Sequence, residues 1–190
     1  MELNRRTCMI LRRGIYAQRN ASTPTVLIPG DGTTSWVNVA TTATVGLGTM
    51  IKSSGGNSWT NCGASFGSLP ANTSGALYSE FTTSNPTIWN AMLGLSETDP
   101  NYNYTTIKYG VFPSYTGNIS IYELGTLVHT EPAGFVITDN IEIKRDGTGQ
   151  VTYYHNGVLI YTSLVTTTSA LIFDSSIYRN LGFKELKITY

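Results

Sequence analysis

Short stretches of this 190-residue chain place chemistry-bearing side chains at spacings that enzymes and metal sites use. Gly63-Ala64-Ser65-Phe66-Gly67 spells G-x-S-x-G, the string of a nucleophile elbow. That motif works only at a strand-to-helix turn that lifts the serine hydroxyl toward a histidine. Pro70 follows soon after Ser65 and no helical period succeeds it, so an ordinary strand serine is expected. Asp99-Pro100-Asn101-Tyr102-Asn103 offers alternating oxygen ligands like a calcium loop. Tyr104, however, stands where the loop needs glycine, and Gly110 where it needs a bidentate glutamate. The expectation is a turn held by Asx side chains, with no metal. His129 and His155 lack a Cys or His partner at metal spacing and read as solvated or hydrogen-bonded surface residues. Gly46-Leu47-Gly48 lacks the third glycine and following helix of a dinucleotide fingerprint, so it reads as turn or bulge chemistry. No catalytic residue and no cofactor is predicted.

The aromatics offer a binding chemistry instead. Of twelve tyrosines, Tyr102, Tyr104 and Tyr115 sit in loop-like stretches beside Asn101, Asn103 and Ser114. A planar ring presents its face to the C–H side of a sugar while neighbouring amides and hydroxyls bond the sugar hydroxyls, so the mixture suits a shallow glycan site. Packing or a subunit interface would use the same residue types, and both readings stay open. Trp59 and Trp89 read as core anchors, and Trp36 as a cover over the mouth of the fold.

A second candidate surface is the amino-terminal arm, residues 1–20. Arg5 and Arg6 precede Cys8-Met9-Ile10-Leu11, Arg12 and Arg13 follow it, and Arg19 comes later. With Glu2 as the sole acid the arm carries +4, and the remainder therefore carries −4, since the whole chain is neutral. Such an arm is a charged tail, a nucleic-acid-binding arm, or an anchor that orders on a partner. A nucleic-acid arm needs no apolar middle, so an anchor is favoured: Met9, Ile10 and Leu11 bury while the guanidiniums bind carboxylates of the host surface.

Any such site needs elements to hold it. Charged residues make up only 13% of the chain, and the wealth of Thr, Ser, Asn and Gly suits a β-rich surface solvated by hydroxyls and amides. The length suits one domain, which at about 150 residues buries roughly 70% of its unfolded surface. Cys8 and Cys62 read as free thiols and not as a disulfide framework. The apolar run at Cys8–Leu11 falls short of the ~7–15 residues of a secretory core. Nor does any stretch reach the ~20 needed to cross a bilayer, so a soluble protein without membrane insertion is expected. Glycosylation sequons at Asn20, Asn72, Asn103 and Asn118 read as plain surface.

Residues 21–35 hold Pro24, Pro29, Gly30, Asp31 and Gly32 and read as a linker loop. From Trp36 the pattern is strand after strand: 36–40, 44–52, 59–66, 75–82, 88–95, 106–112, 117–124, 140–144, 150–155, 158–162, 170–173 and 183–189. The stretch 88–95 could also be helical. The clearest part is a meander from Asn140 to Ser163. Ile141 and Ile143 alternate with polar neighbours, Asp146-Gly147 turns the chain, Val151 and Tyr153 oppose Thr152 and Tyr154, and Asn156-Gly157 supplies a type I′ hairpin. In the last strand Leu186, Ile188 and Tyr190 face one way, and Glu185, Lys187 and Thr189 the other. A dozen strands in one domain exceed what a single open sheet holds, which predicts an all-β sandwich over residues 36–190.

Taken together, Trp59–Ser65 (WTNCGAS), Ile107–Gly110 (IKYG), Ile119–Gly125 (ISIYELG), Ile143–Gly147 (IKRDG) and Val151–Gly157 (VTYYHNG) resemble the concanavalin A-like lectin/glucanase domain. The versions most alike are those of phage fibres, capsid appendages and bacterial surface proteins. The resemblance implies an antiparallel jelly roll with one concave and one convex sheet, often used to bind glycans. The family's hydrolases carry carboxylates at alternate positions of one strand, and the nearest run here is Asn140, Glu142, Lys144. One carboxylate with an amide and an amine cannot act as acid plus nucleophile, so no enzyme is expected. The expected function is a non-enzymatic virion structural protein, as head fibre, capsid decoration or tail appendage, displaying a lectin-like sandwich to host-surface glycans. A bacterial carbohydrate-binding module is the alternative, and a glucanase-branch hydrolase the third. The expected partners are capsid or other virion proteins through the arm, cell-surface glycans, and further copies of the chain in a homo-oligomer; the expected location is the virion surface, after assembly in the host cytoplasm.

Overall fold

The computed structural model describes residues 23–190 except 84, 86 and 133. The predicted anchor, with Arg5, Arg6, Met9, Ile10, Leu11, Arg12, Arg13 and Arg19, lies outside the described residues, as does Cys8. The strands in chain order are β1 (Val26–Leu27), β2 (Trp36–Val37), β3 (Ala43–Gly46), β4 (Thr49–Lys52), β5 (Ser65–Leu69), β6 (Gly75–Thr83), β7 (Asn90–Ser96), β8 (Tyr109–Pro113), β9 (Ile119–Glu123), β10 (Thr126–Glu131), β11 (Asn140–Arg145), β12 (Val151–His155), β13 (Val158–Thr162), β14 (Leu171–Arg179) and β15 (Leu181–Thr189). A 3₁₀ turn at Tyr104–Thr106 interrupts the series.

These strands form two sheets. An eight-stranded sheet runs β13-β12-β11-β6-β15-β4-β3 with β1 added on β15, and a seven-stranded sheet runs β10-β9-β8-β7-β14-β5-β2. The strand pairs are antiparallel. The sheets face each other across a continuous core to which Leu77, Phe81, Ile141, Ile143, Tyr153 and Phe183 contribute from one side. Phe66, Leu93, Tyr109, Val111, Ile121 and Phe173 contribute from the other. Each such side chain, once buried, stabilises the fold by about 1.5–3 kcal/mol.

The predicted meander is present as β11, β12 and β13. Ile141, Ile143, Val151 and Tyr153 are buried, and Asn156 and Gly157 have φ of 49° and 77°, as a type I′ turn requires. The preceding turn is wider than Asp146-Gly147: Asp146 Oδ1 accepts hydrogen bonds from the N–H groups of Thr148 and Gln150, and Gly149 takes the positive φ of 91°. On the inward face beyond Ile143 stands Arg145, only 1% exposed. Its guanidinium donates to the carbonyls of Pro70, Thr73 and Ser169, tying two loops to the end of β11.

Several predicted boundaries move. The stretch 44–52 is a hairpin, β3 and β4, because Gly48 takes φ of 59° at its turn. Most of 59–66 is loop, and the stretch 88–95 forms a strand and not a helix, beginning two residues later as β7. Within the predicted linker, Val26 and Leu27 pair with Thr189 and Ile188. Two bulges shift the in–out alternation by one residue. In β15, Glu185 takes φ of 53°, so Phe183 and Leu186 both face the core while Leu186 and Ile188 keep the predicted phase. In β5, Gly67 at φ of 64° does the same for Phe66 and Leu69.

Candidate functional site

The outer face of the seven-stranded sheet carries an aromatic surface, and the sequence makes it by leaving a trough. Gly94 of β7 lies directly opposite Gly110 of β8, so neither position projects a side chain outward. A Cβ on Gly94 would sit 2.6 Å from Ile107 Cγ2, and one on Gly110 would sit 2.8 Å from Met92 Sδ. Ile107 and Met92 thus fill the trough, both about 1% exposed, and give the loops above them an apolar seat.

Two loops cross that seat. In residues 97–108, Asn101 Oδ1 accepts the N–H of Asn103 at 2.8 Å, and Asn103 Oδ1 caps the 3₁₀ turn by accepting the N–H of Thr105 at 3.1 Å. Asp99 Oδ2 accepts from Asn38 Nδ2 at 3.0 Å. Asn101 and Asn103 thus hold the turn in the Asx arrangement expected, while Asp99 ties it to Asn38. In the other loop, Ser176 Oγ donates to Trp59 O at 2.8 Å and Ser175 Oγ to Ala64 O at 2.7 Å, stitching residues 59–64 to β14.

The result is a strip of rings. Tyr104 packs at 5.2 Å from Trp59 and 6.0 Å from Tyr122, while Trp59 lies 5.7 Å from Phe112 and 5.2 Å from Tyr178. Arg179 extends the strip, its guanidinium 5.6 Å from the Tyr178 ring and 6.0 Å from that of Tyr115, which is 46% exposed. Trp59, Tyr104, Phe112, Tyr122 and Tyr178 are each half-buried, so ring surface reaches solvent. Trp59 is thus a surface aromatic and not the core anchor expected from sequence; Trp89, at 4% exposed, is in the core. Trp36 behaves as expected, lying edge-on to Phe66 and Phe173 at the sandwich margin.

The predicted tyrosines and asparagines divide between two concavities. Tyr104 joins the strip at a small cleft of about 110 Å³ with Trp59, Met92, Phe112 and Tyr122, and Tyr115 ends the strip beyond Arg179. Tyr102 turns the other way. It packs over Gly63, where a Cβ would meet its ring at 3.0 Å, and lines a cleft of about 550 Å³ with Asn38, Thr60, Asp99, Asn101 and Asn103. Trp59, Phe112, Tyr122, Tyr178 and Arg179 were not foreseen as site residues. The alternation of Phe112 with Val111 and of Tyr122 with Ile121 would have placed two of them on the outer face.

The remaining motifs resolve into structure. Ser65 is buried, and its hydroxyl donates to Val37 O at 3.4 Å; Gly63 is required by the approach of Ser175 O, and Gly67 makes the β5 bulge. His155 Nε2 lies 2.8 Å from Asp139 Oδ2. Burial pushes the Asp139 carboxyl up, but hydrogen bonds from Asn156, the Val136 N–H and His155 outweigh it and hold it below its ordinary value. His129 stacks on Tyr161 at 5.2 Å. On the outer face of the other sheet Glu142 pairs with Lys144 at 2.9 Å, and Lys144 lies 4.3 Å from the Tyr154 ring.

One carboxyl on the strip's own sheet is unusual. Asp174 of β14, opposite Gly94, is 1% exposed and accepts from Ser96 Oγ at 2.8 Å. Burial is the chief cause that pushes it up to about 7, opposed by the Ser96 hydrogen bond. Sealed from solvent, it cannot meet a substrate as a general acid in this conformation.

No protein-family model and no curated protein sequence matches the chain. Solved structures do. The TRIM65 PSpry domain superposes with a TM-score of 0.58 at 13% identity, covering 78% of this chain and 86% of that one. The Emp46p carbohydrate recognition domain gives 0.55 at 6% identity, covering 88% and 87%. The carbohydrate-binding module CBM66 from Bacillus subtilis gives 0.50 at 12% identity, covering 81% and 94%. The described chain is therefore a concanavalin A-like jelly-roll sandwich, as the sequence resemblance implied. At these identities the likeness establishes the fold alone.

Proposed function

We propose that the protein is a carbohydrate-binding display module, and that the strip from Tyr104 through Trp59 and Tyr178 to Tyr115 is where sugar rings stack. The observation that carries this reading is the strip itself: half-buried rings seated on a glycine-made trough, on the outer face of a rigid sheet. Rings held by packing lose little entropy on binding, and each offers an apolar face to the C–H side of a pyranose. Asn101 and Asn103, whose side-chain oxygens are engaged in turns, line the separate cleft beside Tyr102, where their NH₂ groups are donors for a second sugar contact away from the strip. A carbohydrate recognition domain and a carbohydrate-binding module among the similar folds agree with the reading.

The fuller proposal places this module on a virion, held by the arginine-rich arm to capsid or tail proteins in a symmetric oligomer, facing a host glycan. The resemblance of the sequence to phage appendage domains and the +4 arm support it. A glycan array probed with the intact chain tests the first part. Trp59→Ala and Tyr104→Ala are expected to lower the signal at least about tenfold, as loss of stacking of one to two rings implies. An intact protein that binds no glycan on the array would overturn it. Deletion of residues 1–20 tests the second: loss of incorporation into particles with a folded sandwich is expected, and normal incorporation would refute it.

A further inference from the structure

The geometry points to an oxyanion pocket at the Arg179 end of the aromatic strip, built to take the carboxylate or sulfate group of an acidic saccharide. The inference rests on the strip being a glycan site, and it adds the charge class of the glycan.

The pocket has a volume of about 180 Å³ and is lined by Lys52, Ser53, Ser54, Gly55, Asn57, Arg179 and Asn180. Apart from Gly55 every one of these is a polar or cationic side chain, and none is acidic. A water occupies about 30 Å³ of liquid, so the space suits a hydrated carboxylate or sulfate and is too small for a chain of sugars. The sugar bearing that group has to lie outside, where Tyr178 and Tyr115 flank the guanidinium.

The charges are what set this corner apart. Lys52 is 9% exposed, and its ammonium donates to Asn61 Oδ1 at 2.6 Å and to the carbonyls of Gly56, Tyr178 and Ile177 at 2.9, 2.9 and 3.3 Å. Those partners are all neutral. Desolvation accordingly pushes the Lys52 ammonium below its ordinary value. Arg179 is held between rings, and its Nε is buried without a hydrogen-bond partner. Among the described residues the ion pairs join Lys108 to Glu97, Lys144 to Glu142 and Lys184 to Glu80, while His129 lies 3.9 Å from Glu131 and His155 2.8 Å from Asp139. Neither Lys52 nor Arg179 has a carboxylate partner, although acids outnumber bases outside the arm.

Two neighbouring cations without a counter-ion, in a concavity whose walls exclude acids, favour an anion from solution. The division of labour follows from their donors. Lys52 has its protons committed to protein acceptors, so it contributes charge from below. Arg179 lines the pocket and carries a planar guanidinium fork matched to a carboxylate or sulfate edge. Ser54 and Asn57 supply neutral donors at the rim.

The test uses the whole chain and two kinds of probe. Inorganic sulfate, followed by the ¹⁵N resonances of the Arg179 Nε–H and of residues 52–57, probes the pocket without any sugar. Oligogalacturonate and chondroitin sulfate against neutral cellohexaose, measured by calorimetry, probe the class of saccharide. Sulfate is expected to shift those resonances, and the acidic oligosaccharides are expected to bind at least tenfold tighter than the neutral one. Arg179→Gln should remove most of that preference. Ser54→Asp, a rim change on an exposed residue that leaves the core untouched, should do the same by repulsion, whereas Trp59→Ala should weaken acidic and neutral ligands alike. Resonances unmoved by sulfate overturn the pocket whatever the glycans do. Sulfate binding with equal affinity for acidic and neutral oligosaccharides overturns the acidic-saccharide assignment. Sulfate binding with no saccharide bound at all retains the anion pocket and refutes the glycan reading of the strip.

Discussion

Replacing Asp174 with asparagine should stabilise the protein at alkaline pH and not at acid pH. The carboxyl is pushed up from 3.8 to about 7 because burial outweighs the one side-chain hydrogen bond it receives, from Ser96. A raised acid binds its proton more tightly in the folded than in the unfolded chain. Its neutral form is therefore compatible with the fold below pH ~4, and stability falls as pH rises from there to about 7, then levels off. A shift of this size corresponds to on the order of 4 kcal/mol lost across that window. Asparagine keeps an oxygen for the Ser96 hydroxyl but adds an amide donor that needs an acceptor, a cost of about 1–2 kcal/mol. The expected balance is a variant about 1–2 kcal/mol less stable than the parent at pH 3 and about 2–3 kcal/mol more stable at pH 8. Urea unfolding followed by tryptophan fluorescence measures both, Trp89 being in the core. Asp31, Asp139 and Asp146 are held below their ordinary values and give the parent an opposing slope, but they are common to both proteins and cancel in the difference. A stability difference independent of pH would refute a buried, proton-retaining Asp174.

Other perturbations test the scaffold. Arg145→Met should cost about 3 kcal/mol, read as a fall in the thermal midpoint, because it removes the buried guanidinium that the carbonyls of Pro70, Thr73 and Ser169 share as donor. Gly94→Ala places a Cβ 2.2 Å from Tyr109 O and 2.6 Å from Ile107 Cγ2. It should cost about 3 kcal/mol, and Trp59 fluorescence should shift as the trough fills. Asp139→Ala removes the acceptor for the Val136 N–H, His155 and Asn156, each at 2.8 Å, for an expected loss of about 2–4 kcal/mol in urea unfolding at pH 7. Since the Asp139 carboxyl is held below 3.8, the difference should be full above pH ~4 and shrink as pH falls through its folded value.

Much of the architecture was legible because it is written in short-range patterns. The alternation at Ile141 and Ile143, the Asn156-Gly157 turn and the polar, sparsely charged composition each state a local preference, and antiparallel meanders are built from such neighbours. Less legible were the points where one residue breaks the alternation or the strand. Glu185 and the Phe66-Gly67 step move whole half-strands by one position, and Gly48 cuts one predicted strand into a hairpin. A positive φ at a non-glycine such as Glu185 is imposed by the pairing of β15 with β6 and leaves no mark in the sequence. The tyrosines of the 101–115 region were recognisable as ring-bearing loops, yet their separation into two concavities was not, since Tyr102 and Tyr104 are neighbours in sequence.

By itself, then, the sequence determined the fold class, the hairpin chemistry and the presence of aromatics among amides, because these depend on period, turn residues and composition. Only the tertiary structure decided which rings meet and what they meet. Trp59 reaches Tyr178 and Tyr104 because hydrogen bonds from Ser175 and Ser176 pin its loop to β14, and because the facing glycines 94 and 110 leave a seat for it. Lys52 and Arg179, far apart in the chain, line one pocket because the chain turns back from β14 to β15 beside the end of β4. Such juxtapositions arise from contacts between distant segments, whose pairing is fixed only when the whole sandwich closes.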